Sequence, residues 1–249
     1  MLARMTLRII VGWTLAALIV RPLAAAEPPS ARTRETVVLL HGLSRTERSM
    51  KRLEAALSQA GYEVINIGYP AAKRPIEDLS DDLGARLAEI RKAPDRRVHF
   101  VTHSFGGILL RYHLKADPLP NLGRVVMLGP PNGGSELADL LTKAPLVRKA
   151  GGPNRRRLGT GPEDIPALLG AVDFDLGVIA GNRSCNPLFS SLIPGPDDGV
   201  VAVERAKVAG MTDFLVVHRT HTFIMNSREV VEQTLKFLRD GSFDHHTPA

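Results

Sequence analysis

The chain has 249 residues, 44% of them hydrophobic and 23% charged, which allows one substantial core and is too short to suggest several domains. Cys185 is its only cysteine, so an intrachain disulfide is excluded and the fold is expected to hold by packing alone. The formal charge of +6 falls to +3 once Arg4, Arg8 and Arg21 are set aside with an N-terminal export segment, a balance too mild to point to nucleic acid.

That segment comes first along the chain. Arg4 and Arg8 precede an apolar run from Ile9 to Val20, and Ala24-Ala25-Ala26 supplies small residues where a signal peptidase would cut. Residues 1–26 are therefore read as a signal peptide and residues 27–35 as a short linker, which makes the protein periplasmic or secreted. A membrane anchor is the alternative, but an uninterrupted run of 12 residues is shorter than the ~20 that a spanning helix needs.

From residue 36 onward strand-like runs alternate with helix-like ones, with no internal repeat. This rhythm predicts an α/β fold, a mostly parallel sheet of about six strands with helices on both faces. The strand runs are Thr36–Leu40, Val64–Ile67, Val98–Val101, Val125–Leu128, Val178–Ala180 and Phe214–Val217, with the β-branched enrichment of strands buried on both faces. Between them Met50, Leu53, Leu57 and Ala60 recur at helical spacing before Gly61, and Ile76, Leu79, Leu83, Leu87 and Ile90 do so before Pro94. The stretch 130–175 is rich in Gly, Pro and Arg, with one short helical pattern around Leu137 to Leu141. It reads either as a lid or binding rim or as a connection that wanders over the surface. Its Arg155-Arg156-Arg157 cluster reads as a solvated loop rather than a phosphate or lipid-headgroup site. A last helix is expected to start at Asn226, capped by that side chain with Glu229 three residues on, and to bury Val230, Val231, Leu235 and Leu238. The folded domain is thus residues 36–241, with 242–249 as a flexible tail.

The segment from Val98 to Gly107 (VHFVTHSFGG) places Ser104 between a buried strand and the apolar helical run Ile108, Leu109, Leu110. At such an elbow a serine side chain projects alone above the sheet, and the small Gly106 lets the turn close. The pattern is Gly-x-Ser-x-Gly with Thr102 in place of the first glycine, so a β-branched residue must be accommodated by a small neighbour or a more open elbow. Upstream, Thr36–Leu40 runs into His41-Gly42-Leu43, where the glycine lets the backbone turn back toward the serine. The N–H groups of Leu43 and Phe105 would then face the oxygen that becomes negative during acyl transfer. His41 itself is expected to orient that loop rather than carry protons.

Of eight histidines, His221 is the best placed as a base. It follows the last strand and precedes the last helix, at the carboxyl edge where sites of open α/β sheets collect. His218 and His99 fall within strands, His103 within the elbow, His113 in the next helix, and His245 and His246 in the tail. The acid should follow the strand Val178–Ala180. Asp198 of GPDDGVV is chosen over Asp197 because neighbouring residues in extended chain point opposite ways, while Asp173 and Asp175 precede the strand and lie at the wrong edge.

Through LLHGL, THSFGG, DDGVV and the THTF around His221, the chain resembles the small bacterial lipases and esterases of the α/β-hydrolase superfamily from about residue 36 to 238. The order serine, acid, histidine is that superfamily's order. The resemblance implies hydrolysis of a carboxylic ester through an acyl-enzyme, with Ser104, Asp198 and His221 as the triad, Leu43 and Phe105 as oxyanion donors, and no cofactor. With so few residues before the first strand, the usual first two strands are expected to be missing. Expected partners are a small-molecule or lipid ester substrate and a transient contact with a lipid surface, with no nucleic acid. Phe105, Phe223, Leu137, Leu141 and Leu146 near the expected mouth would suit an acyl chain and are equally ordinary core residues. Two other readings stay open: an acyltransferase, thioesterase or amidase using the same triad, and a catalytically silent binding protein, against which three filled triad positions argue.

Overall fold

The structure is a computed structural model that describes residues 35–93, 95–143 and 152–245. The expected signal peptide, residues 27–34 of the linker, Leu146 and His246 lie outside the described residues.

Six strands form at the places the sequence marks: β1 (Thr36–Leu40), β2 (Glu63–Ile67), β3 (Val98–His103), β4 (Leu122–Leu128), β5 (Leu176–Gly181) and β6 (Asp213–Val217). All neighbours pair in parallel, in the order β2-β1-β3-β4-β5-β6. The β-branched runs mark only the centres, because ladder hydrogen bonds carry β3, β4 and β5 beyond them. Burial on both faces holds for β1, β3 and β5. It fails for most of β2 and β6, which are half-exposed because they are the sheet's edges.

The helices α1 (Lys51–Gln59), α2 (Ile76–Arg91), α3 (Phe105–Ala116), α4 (Glu136–Lys143) and α5 (Arg228–Asp240) complete the frame. Successive strand residues point to opposite faces, and this alternation divides the core in two. Val38, Leu40, Phe100, Val125 and Met127 pack with α2 and α3 on one side. Val37, Leu39, Val101, Val126 and Leu128 pack with α1 and α5 on the other. Each such side chain taken fully out of water contributes roughly 1.5–3 kcal/mol, so the central strands are the anchor for whatever their ends carry.

Two helix expectations are corrected. The buried face of α1 stops at Leu57, and Ala60 is exposed as its C-cap. The last helix begins at Arg228, with Asn226 closing a short 3-10 turn and Ser227 in the N-cap place, neither side chain capping it. Arg219 engages two groups at this end. Its Nε donates to Ser227 Oγ at 2.9 Å and its Nη2 meets Glu229 at 3.1 Å, which takes up the hydroxyl in the N-cap place and the glutamate that a box with Asn226 would use. Leu235 is half-buried, and Phe237 fills the inner face instead. Of the expected tail, Phe243 is buried with its ring 4.9 Å from that of Phe237. Its N–H donates to Asp213 Oδ2 at 2.7 Å.

The described parts of the 130–175 stretch carry α4 and the helical turns Gly152–Arg155 and Ile165–Leu169. Polar side chains hold them to the sheet domain. Arg111 of α3, 3% exposed, donates to Asn132 Oδ1 at 2.9 Å and to Gly170 O at 2.5 Å. Burial lowers the Arg111 pKa to about 10, and these acceptors compensate the charge that desolvation penalises. Asn132 donates onward to Ala206 O, Ser135 Oγ to Val200 O, and Asn154 to Ala71 O and Arg74 O.

Candidate functional site

Strand register brings the chemistry-bearing residues to one edge. Leu40 lies beside Thr102, His103 beside Leu128, Leu128 beside Ile179, and Gly181 beside Val217. The loops after β1, β3, β4, β5 and β6 therefore leave the sheet together, at the edge where open α/β sheets carry their sites.

Ser104 joins β3 to α3 with φ 53° and ψ −122°, the sole non-glycine at positive φ among the described residues. Such a conformation costs about 1–3 kcal/mol and lasts because its surroundings enforce it. Ser104 N–H donates to Leu128 O at 2.9 Å, and Gly107 N–H donates back to Ser104 O at 3.0 Å. A Cβ at position 106 would stand 2.5 Å from Leu40 O, so only glycine lets α3 start this close to β1. The small neighbour that Thr102 requires is Gly107, where a Cβ would meet Thr102 Oγ1 at 3.2 Å and Met127 Sδ at 3.1 Å.

The three residues singled out in the sequence come together. His221 Nε2 lies 2.9 Å from Ser104 Oγ, and His221 Nδ1 lies 2.7 Å from Asp198 Oδ2. Asp198 is held on its other side, its Oδ1 accepting from Val200 N–H at 3.0 Å and Val201 N–H at 2.8 Å. Main chain adds a further link, His221 N–H donating to Asp198 O at 2.9 Å. With both Asp198 oxygens occupied, the imidazole is fixed in one orientation. Asp197 points away, as alternation predicts, and accepts from Ser190 Oγ and Gly199 N–H.

His103 was set aside in the sequence, yet it supports this chain of bonds. It is 2% exposed, its ring centre lies 4.9 Å from that of His221, and its Nε2 is 3.0 Å from His221 O. Burial first, and then the neighbouring His221, push the His103 pKa well below 6.5. A neutral ring donating Nε2–H to that carbonyl satisfies both constraints. Gly129, also unremarked in the sequence, backs the pair: a Cβ there would stand 3.0 Å from Asp198 Oδ2 and 3.2 Å from His221 Nδ1. A glycine at a strand's end was the available signal; Gly42, one residue further past β1, is similar, since a Cβ there would meet His103 Nδ1 at 2.9 Å and Ser104 Cβ at 3.2 Å.

The remaining histidines among the described residues have structural partners. His41 stacks on Tyr69 with ring centres 4.1 Å apart, and the Tyr69 hydroxyl donates to His41 O. His99 Nδ1 accepts from Arg124 N–H at 2.9 Å, and His113 meets Ser80 Oγ at 3.2 Å. Burial lowers all three of these pKa values. His218 is the first residue past β6 rather than inside it, because Val217 is the last to pair with β5, and it meets Asn182 Oδ1. His245 pairs with Asp213.

Ser104 and His221 open into a cleft of about 250 Å³ with Leu43, Leu137, Leu141, Leu158 and Val200 on its walls. The 130–175 stretch thus forms one wall. Of the residues expected at the mouth, Leu137 and Leu141 line it. Phe105 does not, since its side chain is fully buried in the α2/α3 core, and Phe223 is 59% exposed outside the lining. Leu43 supplies part of the wall beside Gly42. Phe105 is the first residue of α3, so its N–H has no acceptor within the helix. The arginine cluster splits three ways: Arg157 pairs with Glu77, Arg156 reaches back to Gly152 O, and Arg155 lines the cleft.

Comparison with known proteins agrees with this architecture. A family described as the alpha/beta hydrolase family matches residues 37–238. A search of curated proteins finds no match. Among solved structures, the mature form of the Bacillus licheniformis lipase BlEst2 is similar with a TM-score of 0.68 at 22% identity, over 83% of this chain and 93% of that one. Aspergillus fumigatus lipase B gives 0.63 at 14%, over 85% of this chain and 55% of its own. An esterase from Exiguobacterium antarcticum gives 0.53 at 15%, over 84% and 93%. At these identities the likeness is one of fold.

Proposed function

The chain belongs to the alpha/beta hydrolase family, and we propose that it is a serine hydrolase that cleaves carboxylic esters through an acyl-enzyme. The observation that carries this reading is the unbroken relay from Asp198 through His221 to Ser104, at 2.7 and 2.9 Å, opening into a largely apolar cleft.

In the proposed reaction His221 Nε2 takes the Ser104 proton as Oγ attacks the ester carbonyl carbon. Negative charge moves to the carbonyl oxygen, where the N–H groups of Leu43 and Phe105 receive it, a stabilisation of about 3 kcal/mol per donor in comparable sites. Collapse breaks the bond to the alcohol, which leaves with the proton from His221. Water then gives a proton to His221 and attacks the acyl carbon, releasing the acid and restoring Ser104. Asp198 holds the imidazole and stabilises its charged form. The apolar wall suits the acyl part of a small-molecule or lipid ester.

Labelling with a fluorophosphonate tests the nucleophile. We expect modification of the wild type and none of Ser104→Ala; label that persists in the variant overturns the assignment. A panel of p-nitrophenyl esters tests the reaction, and no turnover of any member overturns ester hydrolysis. The reading includes export, supported by the composition of residues 1–26. A periplasmic or secreted product beginning at Glu27 is the expected mass-spectrometric result, and one retaining Met1 overturns it.

A further inference from the structure

The cleft has one polar asymmetry that ester chemistry alone does not use. Two arginines line it, Arg45 and Arg155, and no aspartate or glutamate does. Asp198 stands behind His221, 3% exposed. Arg155 Nη2 donates to Ser44 Oγ at 3.3 Å, and Arg45 Nη2 donates to Thr222 O at 3.4 Å. Among the described residues neither guanidinium forms an ion pair, and each has five N–H donors in all. Ser44 precedes Arg45, so the first of these bonds ties Arg155 to the segment that carries Arg45. Leu43, Leu137, Leu141, Leu158 and Val200 supply the apolar part of the lining.

Direction follows from the proton's path. The departing alcohol must take its proton from His221 Nε2, so it leaves past His221. Arg45 is fastened to the carbonyl of Thr222, the residue after His221, and its charge is among those that act on His103 beside His221. Arg45 therefore stands beside the alcohol's exit with Arg155 tied to the segment that carries it, and the apolar side chains are left for the acyl chain. We propose that the substrate is an acyl ester whose alcohol portion carries an anionic group, a phosphate or carboxylate, held by Arg45 and Arg155. An arginine fork matches either oxyanion with two parallel hydrogen bonds. This assignment rests on the ester-hydrolase reading, and it gives Arg155 a task that a solvated loop would not.

The test compares two monomeric esters with the same acyl chain, hexanoyl glycerol 3-phosphate and hexanoyl glycerol, on wild type, R45Q, R155Q and the double variant. We expect kcat/KM of the wild type to favour the phosphorylated ester about tenfold at low salt, with the preference shrinking as salt rises. Each single substitution should reduce the ratio and the double variant should bring it to about one, while Arg52→Gln, on the exposed face of α1, leaves it unchanged. A ratio near one in the wild type, or one that survives in the double variant, overturns the proposal without touching ester hydrolysis. So does a preference seen only with long-chain substrate in anionic vesicles, which would assign the arginines to a membrane surface. If neither ester turns over, the ester-hydrolase reading fails, and calorimetry with Ser104→Ala still decides this one. Tighter binding of the phosphorylated ester, lost in the R45Q/R155Q background, supports it, and equal affinities overturn it.

Discussion

The elbow after β3 and the wall built by residues 130–175 face each other across one cleft but are held by opposite means. The elbow is fixed by main chain and shape: a positive φ at Ser104, hydrogen bonds to Leu128 O and from Gly107 N–H, and glycines where a Cβ would collide. The wall is fixed by side chains, with Arg111, Asn132, Ser135 and Asn154 reaching to carbonyl groups. A main-chain frame admits little change at the reacting atoms. Side-chain fastenings let the facing surface be altered one residue at a time. In the proposed reaction, chemistry and selectivity thus fall to different physical supports.

The sharpest way to break this contrast is at the acid. Asp198→Asn should lower kcat by about 10⁴-fold with little change in stability, whereas Asp197→Asn should cost far less in kcat because its bonds stay within its own loop. Steady-state kinetics on both variants checks this, and equal losses would remove Asp198 from its special place.

Acid should weaken the whole frame next. His41, His99, His103 and His113 are buried with pKa values pushed below 6.5, so the folded chain resists protons that the unfolded chain accepts. Stability is full above pH 6.5 and falls as the pH drops below it, by up to about 1.4 kcal/mol per pH unit for each histidine. Urea unfolding at pH 7.0 and 5.5 should show a lower midpoint at 5.5, and an unchanged midpoint would mean these rings are protonated in the fold.

Breaking each support separately comes after that. Gly106→Ala forces a Cβ against Leu40 O and should cost about 3 kcal/mol through overpacking, with activity lost alongside. Arg111→Ala should cost a similar amount by leaving Asn132 and Gly170 O without their donor, yet the fluorophosphonate should still label Ser104. Thermal melts paired with labelling separate the two. The smallest effect belongs to the wall's apolar lining: Leu158→Ala should reduce kcat/KM on octanoyl relative to acetyl esters about fivefold, and a uniform loss on both would argue that the acyl chain lies elsewhere.

The sheet was legible because each strand carries a β-branched run, and Ser104 and His221 because each closely follows the end of a strand, whereas Asp198 lies further along the loop that leaves β5. What escaped reading depends on residues far apart in the chain. His103 is defined by a carbonyl 118 residues away, and Glu229 of the expected capping box is held by Arg219, which no local pattern announces. Arg155 could be seen as part of a basic cluster, but only the packing of Asn154 against Ala71 and Arg74 shows which of the three arginines reaches the cleft.

Thr102 and Gly107 share one space beneath the elbow. What that space demands is a combined bulk and not a glycine at a named place, so Gly107→Ala should be rescued by Thr102→Gly, each change alone being harmful. A text search for the five-letter motif passes over this chain, while a rule that adds the sizes of the two positions would retrieve it.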